Sequence, residues 1–422
     1  MRAMSTTSPT HRAIDAVWRI ESARVIAGLA RMLRDLDLAE ELAQDALVAA
    51  LETWPRDGVP DNPGAWLMTT AKRRAIDRLR RLQLLDRKHE ELARELEDIQ
   101  DERRSRDEDA LDHDIDDDLL RLVFVSCHPV LSMDARVALT LRLLCGLTTD
   151  EIARAFLAAE PTVAQRIVRA KRTLAEADVA FEVPRGDALQ ERLASVLGVV
   201  YLVFNEGYAA TSGDDWVRPA LCEEALRLGR MLAALTPREP EVHGLVALME
   251  IQASRTAART DAQGDPVLLN QQNRARWDRL LVRRGLAALA RAEALGQAAG
   301  PYQLQGAIAA CHARAANAAD TDWARISALY GELARVTPSP VVELNRAVAV
   351  CMSEGPAAGL AIVETLMQDK ALQRYHWLYA VRGDLLERLG RGEEARAAFG
   401  QAAAQAGNQR EKALLQQRAA SV

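Results

Sequence analysis

The chain has 422 residues, more than one hydrophobic core accommodates, so two to four domains are expected. Almost half the residues are apolar but only 4% are aromatic, and Gly and Pro rarely interrupt the apolar runs; Ala, Leu, Arg, Glu and Gln lose little side-chain freedom in a helix, so the chain reads as all-α. A net charge of −6 excludes a protein that coats nucleic acid indiscriminately, but it leaves room for local basic faces.

The first residues, MRAMSTTSPTHR, contain no apolar centre that could serve as a signal peptide. Residues 11–81 are amphipathic helix sequence ending in a basic cluster. Within them, Asp35–Trp54 is an acidic helix whose expected buried stripe is Leu38, Leu42, Ala46 and Ala49, leaving Asp37, Glu40, Glu41 and Asp45 outside it. The next segment, NPGAWLMTTAKRRAIDRLRR (Asn62–Arg81), places Trp66, Leu67, Ala71, Ile76 and Leu79 inward. Lys72, Arg73, Arg74, Arg78, Arg80 and Arg81, against Asp77 alone, form a strongly positive face. Such a face can track phosphates, and a neighbouring aromatic can support an unstacked base, although core packing is the simpler role for the Trp66 indole. An acidic helix beside a basic one suggests a protein partner and a nucleic-acid partner; an ordinary solvated helix would account for the acidic one alone.

Residues 86–118 carry sixteen Asp/Glu against six Lys/Arg. Glu90–Ile99 has helical potential, while SRDEDALDHDIDDD reads as a flexible acidic linker. Helix resumes over 119–180 and includes LTTDEIARAFLAAEPTVAQRIVRAKRTL (Leu147–Leu174). Thr148 and Glu151 can form a capping box, after which Ile152, Ala153 and Phe156 face inward. AAEP makes a turn, and Pro161-Thr162 opens a second helix with an apolar stripe of Val163, Ile167, Ala170 and Leu174. This is a helix-turn-helix with a polar, basic second helix, the arrangement that enters a DNA major groove. Thr162, Gln165 and Arg166 are best placed for base edges, and Arg169, Lys171 and Arg172 for phosphates.

Beyond 187 the chain is helical again, with a loop near Thr260–Pro266 and, over 300–422, paired helices. Val196–Phe204 is the longest apolar stretch, about half of what a membrane span needs, so a soluble, cytoplasmic protein is expected. In Phe204–Tyr208, Asn205 or Gly207 is expected to end a helix, and Glu206 has no catalytic partner at a diagnostic spacing. His243 and Glu250 are too far apart to share a ligand. From Tyr379 on, Gly383, Ala395, Phe399 and Ala402 stand at tetratricopeptide-repeat spacings, and Leu344–Leu366 repeats the pattern more weakly. Five cysteines, never in a CxxC pair, and seven histidines without ligand spacing point to neither disulfide nor zinc site, so no metal or cofactor is expected.

Read together, LAEELAQDALVAAL, NPGAWLMTTAKRRAIDRLRR, a variable linker and the helix-turn-helix ending RAKRTL resemble extracytoplasmic-function sigma factors of the sigma-70 family, over about residues 11–180. The resemblance implies two small helical sigma domains, residues 11–85 (region 2) and 119–180 (region 4), joined by an acidic linker (86–118). Asp37, Glu40, Glu41 and Asp45 would then dock on core RNA polymerase. Trp66, Lys72, Arg73, Arg74, Asp77, Arg78, Arg80 and Arg81 would serve the −10 promoter element, and Thr162, Gln165, Arg166, Arg169, Lys171 and Arg172 the −35 element. No catalytic residue is implied. Ordinary members end near Ala180; residues 187–295 and 300–422 resemble the extension of a subgroup with tetratricopeptide-like helices, which implies a regulatory partner or ligand there. The alternative is a stand-alone helix-turn-helix regulator with a helical-repeat binding domain, which has no need of the Asp35–Arg81 unit.

Overall fold

The computed structural model describes residues 9–85, 108–156, 158–209, 217–261 and 265–422, and every regular element among them is helical. No helix among the described residues is long and apolar enough to cross a membrane. The chain divides into two units, Met1–Val199 and Val200–Val422.

The first unit opens with α1 (Pro9–Leu33), α2 (Leu36–Asp57) and α3 (Pro63–Leu85). Asp35 caps α2, accepting from the Leu38 amide at 3.0 Å, and Asn62 does the same for α3 through the Ala65 amide at 3.0 Å. On α2 the buried row is Ala39, Leu42, Ala43, Ala46, Ala50 and Trp54. Leu38 and Ala49, expected inside, are half-buried. The buried stripe of α2 is set by its own alanines, Ala39, Ala43, Ala46 and Ala50, and this face also carries Glu40 into the interior. On α3, Leu67, Ala71 and Ala75 repeat every four residues on the buried side, with Ile76 and Leu79 half-buried.

Of the expected acidic linker, residues 86–107 lie outside the described residues. Its end is not a flexible link: α4 runs Glu108–Ser126. Leu111, Ile115, Leu119 and Leu122 recur at helical spacing through the acidic run, and acidic residues at a helix start suit the positive end of the helix dipole. Asp118, which read as a linker charge, is 3% exposed and holds Arg31 of α1 at 2.9 Å. Then come α5 (Met133–Leu143), α6 (Thr149–Ala155) and α7 (Glu160–Glu176). The Thr148–Glu151 capping box forms, Ile152 and Ala153 are buried, and Phe156 is half-buried. Val163, Ile167, Ala170 and Leu174 make the buried face of α7, as their spacing predicts.

The unit boundary falls inside α8 (Asp187–Tyr208), which does not stop at Asn205 or Gly207. A Cβ on Gly207 would stand 2.6 Å from the Cys222 amide, so this glycine serves a close approach of α9 (Pro219–Leu235) within the helix. Glu206 is ion-paired with Arg218, which accounts for its place beside an apolar helix.

The second unit is built around α10 (Pro240–Ala253), which is apolar on all sides and buried nearly throughout. His243 stands 3.0 Å from the Pro237 carbonyl, and Glu250, 1% exposed, pairs with Arg230 at 2.7 Å through one carboxylate oxygen; the other oxygen is buried without a hydrogen-bond partner, and both residues are core groups. α11 (Arg279–Ala294) and α12 (Pro301–Arg314) flank α10. Gly244 is what lets α12 approach: a Cβ there would lie 2.5 Å from the Gln303 amide nitrogen. Because the obstacle is backbone, Gly244→Ala is expected to destabilise the protein by about 1–3 kcal/mol, a drop of several degrees in Tm. An unchanged melting curve would show that the two helices separate without cost.

Helices α13 (Trp323–Val336), α14 (Pro340–Glu354), α15 (Pro356–Leu366), α16 (His376–Arg388), α17 (Gly392–Gln405) and α18 (Gln409–Ser421) complete the unit. Gly383 faces the Phe399 ring, which would lie 2.7 Å from a Cβ, and Gly359 faces the Ala347 carbonyl at 2.7 Å. These are the small-residue contacts that the spacing of both hairpins predicts. Phe399, Leu378, Leu386 and Val363 are fully buried in the core they close.

Candidate nucleic-acid interface

Two basic surfaces and one acidic surface arise within the first unit. On α3, Arg73, Asp77, Arg78 and Arg80 are exposed, while Lys72 and Arg74 are half-buried. Arg74 meets Asp45 of α2 at 3.3 Å, with both side chains more than a third exposed, so the pair contributes at most about 1 kcal/mol. Arg81 continues the helix, but its side chain lies outside the described residues. Trp66 is half-buried and meets buried Trp54 edge-on, with centroids 5.4 Å apart. Its indole is therefore partly core, and part of it faces outward.

On α7, Thr162, Gln165, Arg169 and Arg172 are exposed. Arg172 meets Glu176 one turn on at 2.7 Å, and Arg166 meets Asp134 of α5 at 3.2 Å. The helix gives its apolar side to the core and presents polar and basic groups on the other.

Lys171 does not share that outer face. Its side chain is 9% exposed, and its ammonium lies 2.5 Å from Glu40 Oε2 and 2.7 Å from Asp37 Oδ1. Arg142 of α5 reaches the other oxygen of Glu40 at 2.5 Å, and Gln44 donates to that same oxygen at 2.7 Å. Glu40, expected on the outside of α2, is 6% exposed. A buried carboxylate is tolerable only when charge and hydrogen bonds compensate its lost hydration; here two cations and an amide do so. Asp37 and Glu41 remain exposed on the same helix, and Asp45 is half-buried. A further link joins Arg19 of α1 to Glu151 of α6 at 3.1 Å.

The candidate residues thus divide. Thr162, Gln165, Arg169, Arg172, Arg73, Arg78 and Arg80 lie on the surface, whereas Lys171, Asp37 and Glu40 are brought together and occupy one another. Sequence reasoning missed Arg142; the available signal was a lone cation inside the apolar run VALTLRLLCGL, which needs a partner when it packs.

The comparisons with known proteins follow the same division. Residues 19–84 match the family described as Sigma-70 region 2, and residues 121–174 the family described as Sigma-70, region 4. Residues 192–293 match a family of unknown function, DUF6596. An uncharacterized protein of Rhizobium meliloti (strain 1021) is 46% identical over 393 residues, which cover 93% of this chain and 92% of that protein.

Proposed function

This chain belongs to the sigma-70 family and carries an extension beyond region 4, and from that membership we propose how its parts divide the work of promoter-directed initiation. A sigma factor binds core RNA polymerase and directs it to particular promoters. In our reading α2 is the docking helix, through Asp37, Glu40, Glu41 and Asp45. The basic face of α3 holds the −10 element, with Trp66 supporting a base taken out of the stack. Helix α7 reads the −35 element as duplex, Thr162, Gln165 and Arg166 at base edges and Arg169, Lys171 and Arg172 on phosphates. A stand-alone regulator has no use for region 2, whose match covers α2 and α3.

What most supports the DNA assignment is α7: its inward side is wholly occupied by packing, and its outward side offers hydrogen-bonding and basic groups at helical spacing. The Glu40 cluster adds a second element. Two assigned docking carboxylates and one assigned phosphate contact satisfy one another, so in our reading the factor is self-masked until polymerase replaces those contacts. The residues from 187 on act as a regulatory or docking module.

The test is run-off transcription by core polymerase on genomic promoter fragments, with and without the protein. Discrete new transcripts are expected, and aligning their upstream sequences should reveal the two elements. Gln165→Ala is expected to relax the −35 preference at one position, since a good base contact is worth about 1–3 kcal/mol. Unchanged selectivity would remove Gln165 from the reading helix, and no transcripts at all would remove the initiation role.

A further inference from the structure

The second unit contains a half-open cavity of about 570 Å³, within the range of small-molecule sites. Its walls are mostly apolar and include Trp323, Trp377, Val348, Met352 and Leu385, from α13, α14 and α16. At one end three guanidinium groups gather: Arg255 and Arg259 from the turn after α10, and Arg274 from the short turn before α11.

No described carboxylate stands within ion-pair distance of Arg255 or Arg274. Arg255 spends Nε on the Gln272 side-chain carbonyl at 3.3 Å and Nη1 on that of Gln252 at 3.0 Å, and stands 5.6 Å from the Trp277 ring centre. Arg274 donates to the carbonyls of His312 and Ala315 and to the Thr321 hydroxyl, and its buried Nε has no partner. Asp320 acts on Arg274 only from beyond ion-pair range. Arg259 lies over the Tyr208 ring at 3.5 Å. His312, at the same end, is pushed down to about 4 by burial and by Arg255 and Arg274, so its imidazole adds no charge and reports the positive field. The opposite end is balanced, because Arg388 and Arg418 both hold Asp384 and Glu411 faces His376.

Like charges collected in a partly dehydrated cavity repel one another and lose hydration. An oxyanion would offset both costs, and a guanidinium fork suits carboxylate, sulfonate or phosphate oxygens. The apolar walls would take the rest of such a molecule, with two indoles available to a flat one. We propose that this cavity binds a small amphipathic anion, a single oxyanion group on an apolar, partly aromatic body, with Arg255 and Arg274 holding the charge.

The full-length protein would be titrated with two fluorescent probes of nearly the same shape, 8-anilinonaphthalene-1-sulfonate and uncharged N-phenyl-1-naphthylamine. The readout is binding itself, so it is independent of promoter recognition. The wild type should bind one equivalent of the sulfonate at least tenfold tighter than the neutral probe. Arg255→Gln should erase that preference and leave the neutral probe within about twofold. Met352→Trp, which fills the cavity and gives up only a sulfur contact with Arg388 while leaving Arg255 and Arg274 unaltered, should weaken both. Equal affinities in the wild type would overturn the proposal whether or not a variant folds. So would a preference for the sulfonate that persists in both Arg255→Gln and Arg274→Gln.

Discussion

Replacing Arg74 and Arg78 together by alanine is expected to abolish promoter opening while leaving core polymerase binding within about twofold. The two residues are one helical turn apart on α3, outside its buried row of Leu67, Ala71 and Ala75. Neither is required by the fold: Arg74 makes an exposed pair with Asp45, Arg78 is exposed, and alanine is the better helix former. The melting temperature should therefore hardly move. Two lost charge-assisted contacts at roughly 1.5 kcal/mol or more each amount to about a hundredfold in open-complex formation. The slope of promoter affinity against salt should also flatten by about 2, one for each phosphate released. Permanganate footprinting of the melted strand and a salt series of binding isotherms read the two effects separately. If polymerase binding falls as steeply as opening, the division between α2 and α3 is wrong. If opening is intact, the basic face does not hold the −10 element.

The second large effect is expected from Lys171→Met with Arg142→Met. These changes keep apolar bulk but leave Glu40, 6% exposed, without either cation. Stranding a buried carboxylate costs about 3–5 kcal/mol, more than the remaining contacts between region 2 and region 4 are expected to withstand, so Glu40 should regain water by letting the two come apart. The opened factor no longer has to break its own contacts to engage polymerase. Apparent affinity scales with the fraction of molecules already competent, so core polymerase should bind about tenfold tighter or better. Arg142 also donates to the Leu147 carbonyl, and the helix content of the variant should be checked alongside. Duplex −35 DNA should bind with a salt slope lower by about 1, from the loss of Lys171. Polymerase affinity that is unchanged or weaker would mean that the Glu40 cluster is only a structural brace and masks nothing.

How much of this was legible beforehand can be judged from particular residues. The Thr148–Glu151 box, the stripe of α7, and the pairing of Gly383 with Phe399 all followed from spacing along the chain. The small error on α2 had large consequences. A stripe read as Leu38, Leu42, Ala46, Ala49 differs from the observed one by a fraction of a turn, yet that fraction decides whether Glu40 meets water or Lys171. In an alanine-rich helix many faces are apolar enough to be buried, so hydrophobicity alone does not choose among them. The end of the expected linker, 108–118, misled in a related way: charge density concealed Leu111, Ile115 and Leu119, whose spacing was already that of a helix.

The sequence by itself determined the all-helical architecture, the order of the acidic helix, basic helix and helix-turn-helix, and through them the family. Those features rest on local forces, propensity, capping and a period of 3.6 residues, all written within a few turns of chain. Only the tertiary structure decided which charges are spent inside the protein. Lys171 and Asp37 are 134 residues apart, and Arg142 and Glu40 are 102 apart. Arg274 joins Arg255 and Arg259 only because the short turn before α11 folds back on the turn after α10. Which residues share an environment depends on which helix faces pack together, and a charge acquires its role from that environment.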